Sequence, residues 1–311
     1  MTTGEPRFRL GLSVPVGPLQ GLPELAREAE ARGWTDVWSQ EARALDAFTP
    51  LASVGAVTRR LRLGSAIAIA ALRAPGMTAM QTAALASLAP GRVVLGLGAS
   101  TRVVVEQWHG VPFPAKPLTD LRERTLTIRR LLDGERVGGL RLEEPPSEPV
   151  PIYLAALGPR MLELSRTVGA GVVLFLVGPR RLAQVLQPFG DAVDSVERLF
   201  CFPGRFHEVA PEARRAVFPY TMVPYYARSI RAQGFGEEMD AVAAAWAAGE
   251  RAASAGRISD ALLKELVVTG SPDDIAERVE EHRKAGLRTP VLAFPDAETA
   301  RTHLESLAPS T

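Results

Sequence analysis

Cysteine is almost absent: Cys201 stands alone among 311 residues. One thiol forms no internal disulfide and builds no thiolate metal site, so Cys201 reads as a small buried apolar residue. Histidine is scarce as well. No two of His109, His207, His282 and His303 stand at a metal-ligand spacing such as i, i+4, and no metal is expected. Neither sign of charge dominates. Thirty-six Lys and Arg balance 35 Asp and Glu, for a net charge of +1. That balance supplies no broad basic field for nucleic acid or for an anionic membrane. Long hydrophobic runs are missing too. The most apolar window, Gly169 to Gly178, is far shorter than the roughly 20 residues that span a bilayer. Met1 to Arg9 is polar and charged and lacks the apolar stretch of a signal peptide, so the expected location is the cytoplasm. No Gly-x-Ser-x-Gly elbow and no Walker loop occurs, which removes those hydrolase and NTPase chemistries.

What remains is a chain of globular composition, 46% hydrophobic and 23% charged. Its length suits one large barrel or two medium domains. Short apolar runs alternate with amphipathic stretches. Strands are expected at Phe8–Val14, Thr35–Ser39, Leu61–Ile69, Val93–Leu97, Val150–Ala155, Val172–Leu176, Ser195–Phe202 and Thr289–Phe294. Helical spacing separates them, as in Leu22, Leu25, Ala26 and Ala29, or Leu118, Leu121, Thr125, Ile128 and Leu132. Val93–Leu97 is apolar without alternation, as strands buried on both faces of a parallel sheet are. Eight strands separated by helices give an α/β fold of the (β/α)8 TIM-barrel class. A doubly wound sheet is the alternative, weakened because no glycine fingerprint follows the first strand. A single domain over residues 1–311 is expected, with a helical insertion at Pro211 to Lys264 between the seventh and eighth strands.

In such a barrel, chemistry gathers where strands end. That rule selects Leu12 to Pro15 (with Ser13), Ser39 to Glu41, Ala66 to Ile69, Gly98 to Thr101, Ala156 to Gly158, Phe175 to Pro179 and Pro203 to Arg205. Gly96-Leu97-Gly98-Ala99-Ser100 lacks the third glycine of a dinucleotide fingerprint, since Thr101 stands there. Gly98 serves either tight packing or the close approach of a flat ligand. The helices that begin near Pro159, after Ala156-Leu157-Gly158, and at Gly178-Pro179-Arg180 present free N–H groups fit for a phosphate. A simple turn, or a surface arginine at Arg180, is the bland counterpart of each. Glu41 and Asp46 are acid–base groups or ion-pair partners, the structural reading being favoured for Asp46. Trp108 reads as core.

Several of these stretches together resemble the bacterial luciferase-like family. Gly91-Arg92-Val93-Val94-Leu95-Gly96-Leu97-Gly98 resembles its fourth-strand signature, and Pro151-Ile152-Tyr153-Leu154-Ala155-Ala156-Leu157-Gly158-Pro159 its fifth. Asp46-Ala47-Phe48-Thr49-Pro50-Leu51 with Leu61-Arg62-Leu63-Gly64 matches the stretch around its third strand. Val105-Glu106-Gln107-Trp108-His109-Gly110-Val111-Pro112-Phe113, Tyr220 to Tyr226 and Val267 to Pro272 are similar to an actinobacterial subgroup of deazaflavin (coenzyme F420)-dependent oxidoreductases.

The resemblance implies a flavin or deazaflavin in the barrel mouth, and hydride exchange with a small organic substrate at an activated C=C, C=N or C=O. By position, Ala66-Ile67 would form a bulge with a non-proline cis peptide behind the ring. Gly98, Ala99 and Ser100 would line the ring. Ala156, Leu157 and Gly158, and Gly178, Pro179 and Arg180 beside Phe175, would approach the ribityl and phosphate portion. The chain departs from the family pattern twice. Many deazaflavin members carry a histidine after the second strand, where Ser39-Gln40-Glu41 is followed here by Ala42. Some sugar-phosphate dehydrogenases use a glutamate where Thr101 stands. Glu41, Tyr220 or Tyr225 then takes the proton-handling role, or the reaction needs no protein acid. A reduced-FMN monooxygenase and a cofactor-binding protein without turnover are the rival expectations. A homodimer is compatible with this reading.

Overall fold

Prolines open helices along this chain. The helices are α1 (Leu22–Ala31), α2 (Thr49–Gly55), α3 (Pro75–Leu88), α4 (Pro117–Leu132), α5 (Pro159–Val168), α6 (Pro179–Leu186), α7 (Phe206–Thr221), α8 (Pro224–Arg231), α9 (Gly236–Ala247), α10 (Arg251–Gly256), α11 (Asp260–Leu266), α12 (Pro272–Lys284) and α13 (Ala297–His303). All of α1 to α6, together with α8 and α12, carry a proline in one of their first two positions. There the missing N–H would have no partner and the fixed φ already suits the helix. The structure is a computed structural model that describes residues 9–41, 43–190 and 193–309. The expected strand start at Phe8, the polar stretch before it and Ala42 lie outside the described residues.

The strands are β1 (Gly11–Ser13), β2 (Asp36–Ser39), β3 (Arg62–Ser65), β4 (Ala68–Ile69), β5 (Val93–Gly98), β6 (Ile152–Ala155), β7 (Gly171–Phe175), β8 (Asp194–Pro203), β9 (Val267–Gly270) and β10 (Thr289–Ala293). They pair in parallel in the order β10-β1-β2-β3-β5-β6-β7-β8, and β8 returns to β10. With β3 and β4 as one interrupted stave, the sheet closes on eight staves into a (β/α)8 barrel. The lower part of β8 pairs with β10 up to Phe200↔Ala293, and its upper part pairs with β9 from Phe200↔Val267 onward.

β9 corrects the sequence reading, which placed no strand at Val267. The insertion therefore runs from α7 through α11 and ends on a short strand of its own, ahead of α12 and β10. It builds a second apolar cluster on the upper end of β8, from Phe200 and Phe202 through Val217, Ile230 and Met239 to Leu262.

Inside the barrel, side chains alternate inward along each strand. The floor is polar. Arg62 binds Asp36, Asp194 (2.8 Å) and the Thr289 hydroxyl (2.8 Å), and the Tyr153 hydroxyl donates to Asp194. Above it Trp38, Val94, Tyr153, Val173, Val196 and Val291 fill the middle. A Cβ on Gly64 would lie 2.2 Å from the Trp38 ring, so that glycine makes room for it. With floor and middle filled, the open end of the barrel is the one where the strands finish.

Candidate functional site at the mouth of the barrel

One residue too many sits in the third stave. Gly64 pairs with Val94 and Ala68 with Leu97, so four steps along β3 and β4 face three along β5. The surplus bulges at Ala66-Ile67, whose peptide bond is cis. Local hydrogen bonds fix the bulge. Ala66 N–H donates to Ser39 (2.6 Å) and Glu41 N–H to the Ile67 carbonyl (3.2 Å). The Ser65 hydroxyl donates to the Gly96 carbonyl (2.8 Å) and accepts from Gly96 N–H (2.9 Å). Ile67 lies over Gly98, where an added Cβ would fall 2.4 Å from its Cδ1. Of the two roles open to Gly98, packing against Ile67 is thus realised in the structure. Ala99 and Ser100 continue from it, and Ser100 adopts a left-handed φ of 59°. Leu176, after β7, does the same at 58°. Two non-glycine residues thus adopt this sparsely populated region, both at strand ends around one mouth.

Glu41 stands at the end of β2 as expected, but both its oxygens are occupied. Arg73 reaches them from Nη1 (2.8 Å) and Nη2, Ile69 N–H donates at 2.8 Å and Ala47 N–H at 3.3 Å. Both oxygens of the carboxylate thus accept from donors fixed by the fold. Of the two roles weighed for Glu41, the geometry supplies the ion-pair partner. Asp46 is structural too: its Oδ1 accepts from the N–H groups of Phe48 (2.7 Å) and Thr49 (2.9 Å) at the start of α2. Burial opposes its ionisation, but these bonds at Phe48 and Thr49 outweigh it and hold the carboxyl below its ordinary range.

The opposite wall is aromatic and cationic. Phe175 packs edge-on against Phe200, Tyr220 and Tyr226, with ring centroids 5.2, 4.9 and 5.9 Å away. The Arg198 guanidinium lies 5.3 Å from the Phe175 centroid and 4.8 Å from that of Phe200. Its Nε donates to the Ser13 hydroxyl at 3.2 Å. Tyr225 does not join this cluster. It is exposed, beneath the Arg228 guanidinium, and the neighbouring Tyr226 turns inward instead. Burial pushes the Tyr226 hydroxyl well above its usual pKa. Trp108 is exposed, under Arg43, on a π-helical turn at Val103–Trp108, which corrects its reading as core. The adjoining Glu106 accepts from Phe113 N–H (3.0 Å) and Arg102 (2.6 Å).

The two candidate helix starts differ. At Gly158 an added Cβ would meet nothing within 4 Å, so the approach to the start of α5 is open. Ala156 is buried beneath it, and Leu157 packs against the neighbouring apolar cluster. At Gly178 a Cβ would fall 2.1 Å from Glu265 Oε1, and Gly178 N–H already donates to Gln233 (2.7 Å). Glu265 also pairs with the exposed Arg180 at 3.4 Å. A carboxylate beside Pro179 and Arg180 repels a phosphate, so Gly158 is the better anion cradle of the pair.

Sequence reasoning missed Arg198, Phe200, Tyr226, Gln233 and the fully buried Glu197. Arg198 carried a signal: a charge in the middle of an apolar strand. Among the described residues no helix is long and apolar enough to cross a membrane, and no group of three or more His, Cys, Asp or Glu could hold a metal.

Comparison with known proteins gives consistent matches. A family model described as luciferase-like monooxygenase matches residues 5–289. A Mycobacterium tuberculosis protein carrying the name of a coenzyme F420-dependent oxidoreductase is 28% identical, over 96% of this chain and 98% of its own. Among solved structures, the coenzyme F420-dependent tetrahydromethanopterin reductase from Methanopyrus kandleri shares the fold with a TM-score of 0.77, at 22% identity and with 97% and 98% of the two chains covered. An F420-dependent secondary alcohol dehydrogenase, solved with an F420–acetone adduct, does so at 0.76 and 16% identity, covering 98% of this chain and all of its own. Monooxygenases share the fold at lower scores.

Proposed function

Because this chain belongs to the luciferase-like monooxygenase family, we propose that it binds coenzyme F420 in the mouth of its barrel and catalyses hydride transfer with a small organic substrate. The chain is an enzyme of that family. The observation that carries the F420 reading is the bulge at Ala66-Ile67, which lies over Gly98 at the end of β5. Ala155 lies inside the barrel with Ala66 and Ile67, and Gly158 opens the α5 start to a phosphate. These residues fit a planar ring with a ribityl phosphate tail. The names of the relatives support the same cofactor.

Bound there, the deazaflavin supplies a carbon centre that gives or takes a hydride. The protein's part is position, exclusion of water and proton transfer. Reduction of a C=C, C=N or C=O bond needs a proton as well as a hydride. Tyr220 takes that role in this reading, since its ring packs on Phe175 and Phe200 in the mouth while Glu41 is locked to Arg73. Ser13, Ala66, Ile67, Gly98, Ser100 and Phe175 would hold the ring. The monooxygenase neighbours favour reduced FMN as the second reading.

Fluorescence titration of the purified protein with F420 and with FMN separates the two. F420 is expected to bind at least about tenfold more tightly. Tighter FMN binding, with oxygen consumed on reduction, would replace the F420 reading. Gly158→Val should weaken F420 binding by about tenfold and leave the thermal midpoint unchanged, because its side chain enters open space.

A further inference from the structure

We propose that the barrel mouth contains a carboxylate-binding subsite centred on Arg198, and that the organic substrate is therefore a small carboxylate. The proposal rests on the hydride-transfer reading above and names the substrate class for that site.

Arg198 belongs to the inward-facing set of β8 with Asp194, Val196 and Phe200. It pairs with Phe175 on one side and Val291 on the other, above the packed middle of the barrel. Two arginines packed into the fold have acids beside them, while Arg92 is held by backbone carbonyls instead. Arg62 meets Asp36 and Asp194, and Arg73 meets Glu41. Arg198 makes no ion pair among the described residues. Its contacts are the Ser13 hydroxyl at 3.2 Å, the rings of Phe175 and Phe200, and the Tyr220 hydroxyl.

A guanidinium stays charged under all ordinary conditions, so burying one without an anion is costly. Burial does pull its pKa below the arginine value, and Tyr220 only partly offsets that. A ligand anion removes the penalty. The planar fork and its spare N–H donors match a planar carboxylate with two oxygens. Phe175 and Phe200 lie against the fork by their rings, and the hydroxyls of Ser13 and Tyr220 take two of its five N–H donors.

Topology argues that this group serves the substrate. The bulge lies on the third stave and β8 is the seventh, four positions away around a closed barrel of eight. The two stand diametrically opposite. A substrate held between the bulge and Arg198 would place its carboxylate on the arginine and its reactive bond toward the bulge.

The test uses crotonate and its neutral isostere crotonamide as probes, with calorimetry on both the F420-loaded and the cofactor-free protein. Crotonate is expected to bind the loaded protein about ten- to a hundredfold more tightly than crotonamide, the range for a charge-assisted pair. Arg198→Gln should abolish that preference and change F420 affinity by less than about twofold. Arg198→Lys should restore part of it. Three results overturn the proposal: no preference in the wild type, an undiminished preference in Arg198→Gln, or an equal loss of F420 affinity, which would assign Arg198 to the cofactor. If Arg198→Gln fails to fold, Arg198→Lys decides: a crotonate preference at least about threefold below that of the wild type supports the subsite, and an undiminished one overturns it. A preference in cofactor-free protein that does not bind F420 sinks the hydride-transfer reading and keeps the subsite. F420 binding without a preference does the reverse.

Discussion

Arg73 and Glu41 show how strongly one pairing redirects an argument about chemistry. Their side chains are 16% and 4% exposed, and the Glu41 hydrogen bonds hold the Arg73 guanidinium above its ordinary pKa, with burial opposing them. Removing the charge from one partner of a buried pair leaves the other uncompensated, at a cost of about 3–5 kcal/mol in the buried limit. Glu41→Gln is thus expected to lower stability in urea unfolding by about 2–3 kcal/mol and to disturb the bulge through Ile69. A variant with unchanged stability and a turnover reduced by about 10²-fold would instead make Glu41 the acid. Tyr220→Phe should lower turnover by about 10- to 100-fold at unchanged F420 affinity, whereas Tyr225→Phe should change neither, since Tyr225 is exposed. The sequence carried the Tyr220–Tyr226 stretch to the site, but adjacent residues on a helix point about 100° apart, and only packing decides that Tyr226 faces in.

Between β7 and α6 the backbone turns on three bonds from side chains. Gln233 donates to the Leu176 carbonyl (3.0 Å) and accepts from Gly178 N–H (2.7 Å), while Glu197 accepts from Val177 N–H (2.9 Å). The Gln233 amide, from the junction of α8 and α9, thus ties the helical insertion to the end of a barrel strand. Gln233→Leu keeps the bulk and removes both bonds. Its expected cost is about 1–3 kcal/mol, with faster amide exchange at Gly178 and Phe175 but not at Leu95 in the core of β5. Uniform exchange across the barrel would deny the turn this dependence. Gly178→Leu is a poor probe of a phosphate here because its side chain would first displace Glu265. Such elements were unequally legible. Apolar runs and prolines at helix starts marked the eight staves and most helices, because those signals are local. β9, from Val267 to Gly270, is four residues long, and it is a strand because the upper end of β8 offers it an edge. Gln233 became a turn lock through a contact spanning 55 residues of chain, which no spacing rule encodes.

Across the whole molecule, two buried titratable groups set opposing dependences on pH. Glu197 is fully buried on the outer face of β8, with Oε1 on Val177 N–H and Oε2 without a partner. Burial raises its pKa from 4.5 to about 8, against the Val177 bond and the charge of Arg278 on α12. His282, also on α12, is lowered by burial from 6.5 to about 4, although its bond to the Arg278 carbonyl favours the charged form. The folded state therefore prefers both groups neutral. As pH rises from 4.5 towards 8, the unfolded chain releases the Glu197 proton that the folded chain keeps, and stability falls. As pH falls from 6.5 towards 4, the unfolded chain takes up a proton that folded His282 refuses, and stability falls again. Between pH 4.5 and 6.5 the two slopes cancel, and above that window Glu197 acts alone of the two. Glu197→Gln preserves the acceptor for Val177 and abolishes the titration. The variant's stability relative to wild type should thus rise by roughly 3 kcal/mol between pH 5 and pH 7.5, at about 1.4 kcal/mol per pH unit. Urea unfolding of both proteins at those two pH values measures the change directly. A constant difference between them would mean that Glu197 ionises alike in the folded and unfolded chain, and that water reaches its Oε2 behind the turn that leads into α6.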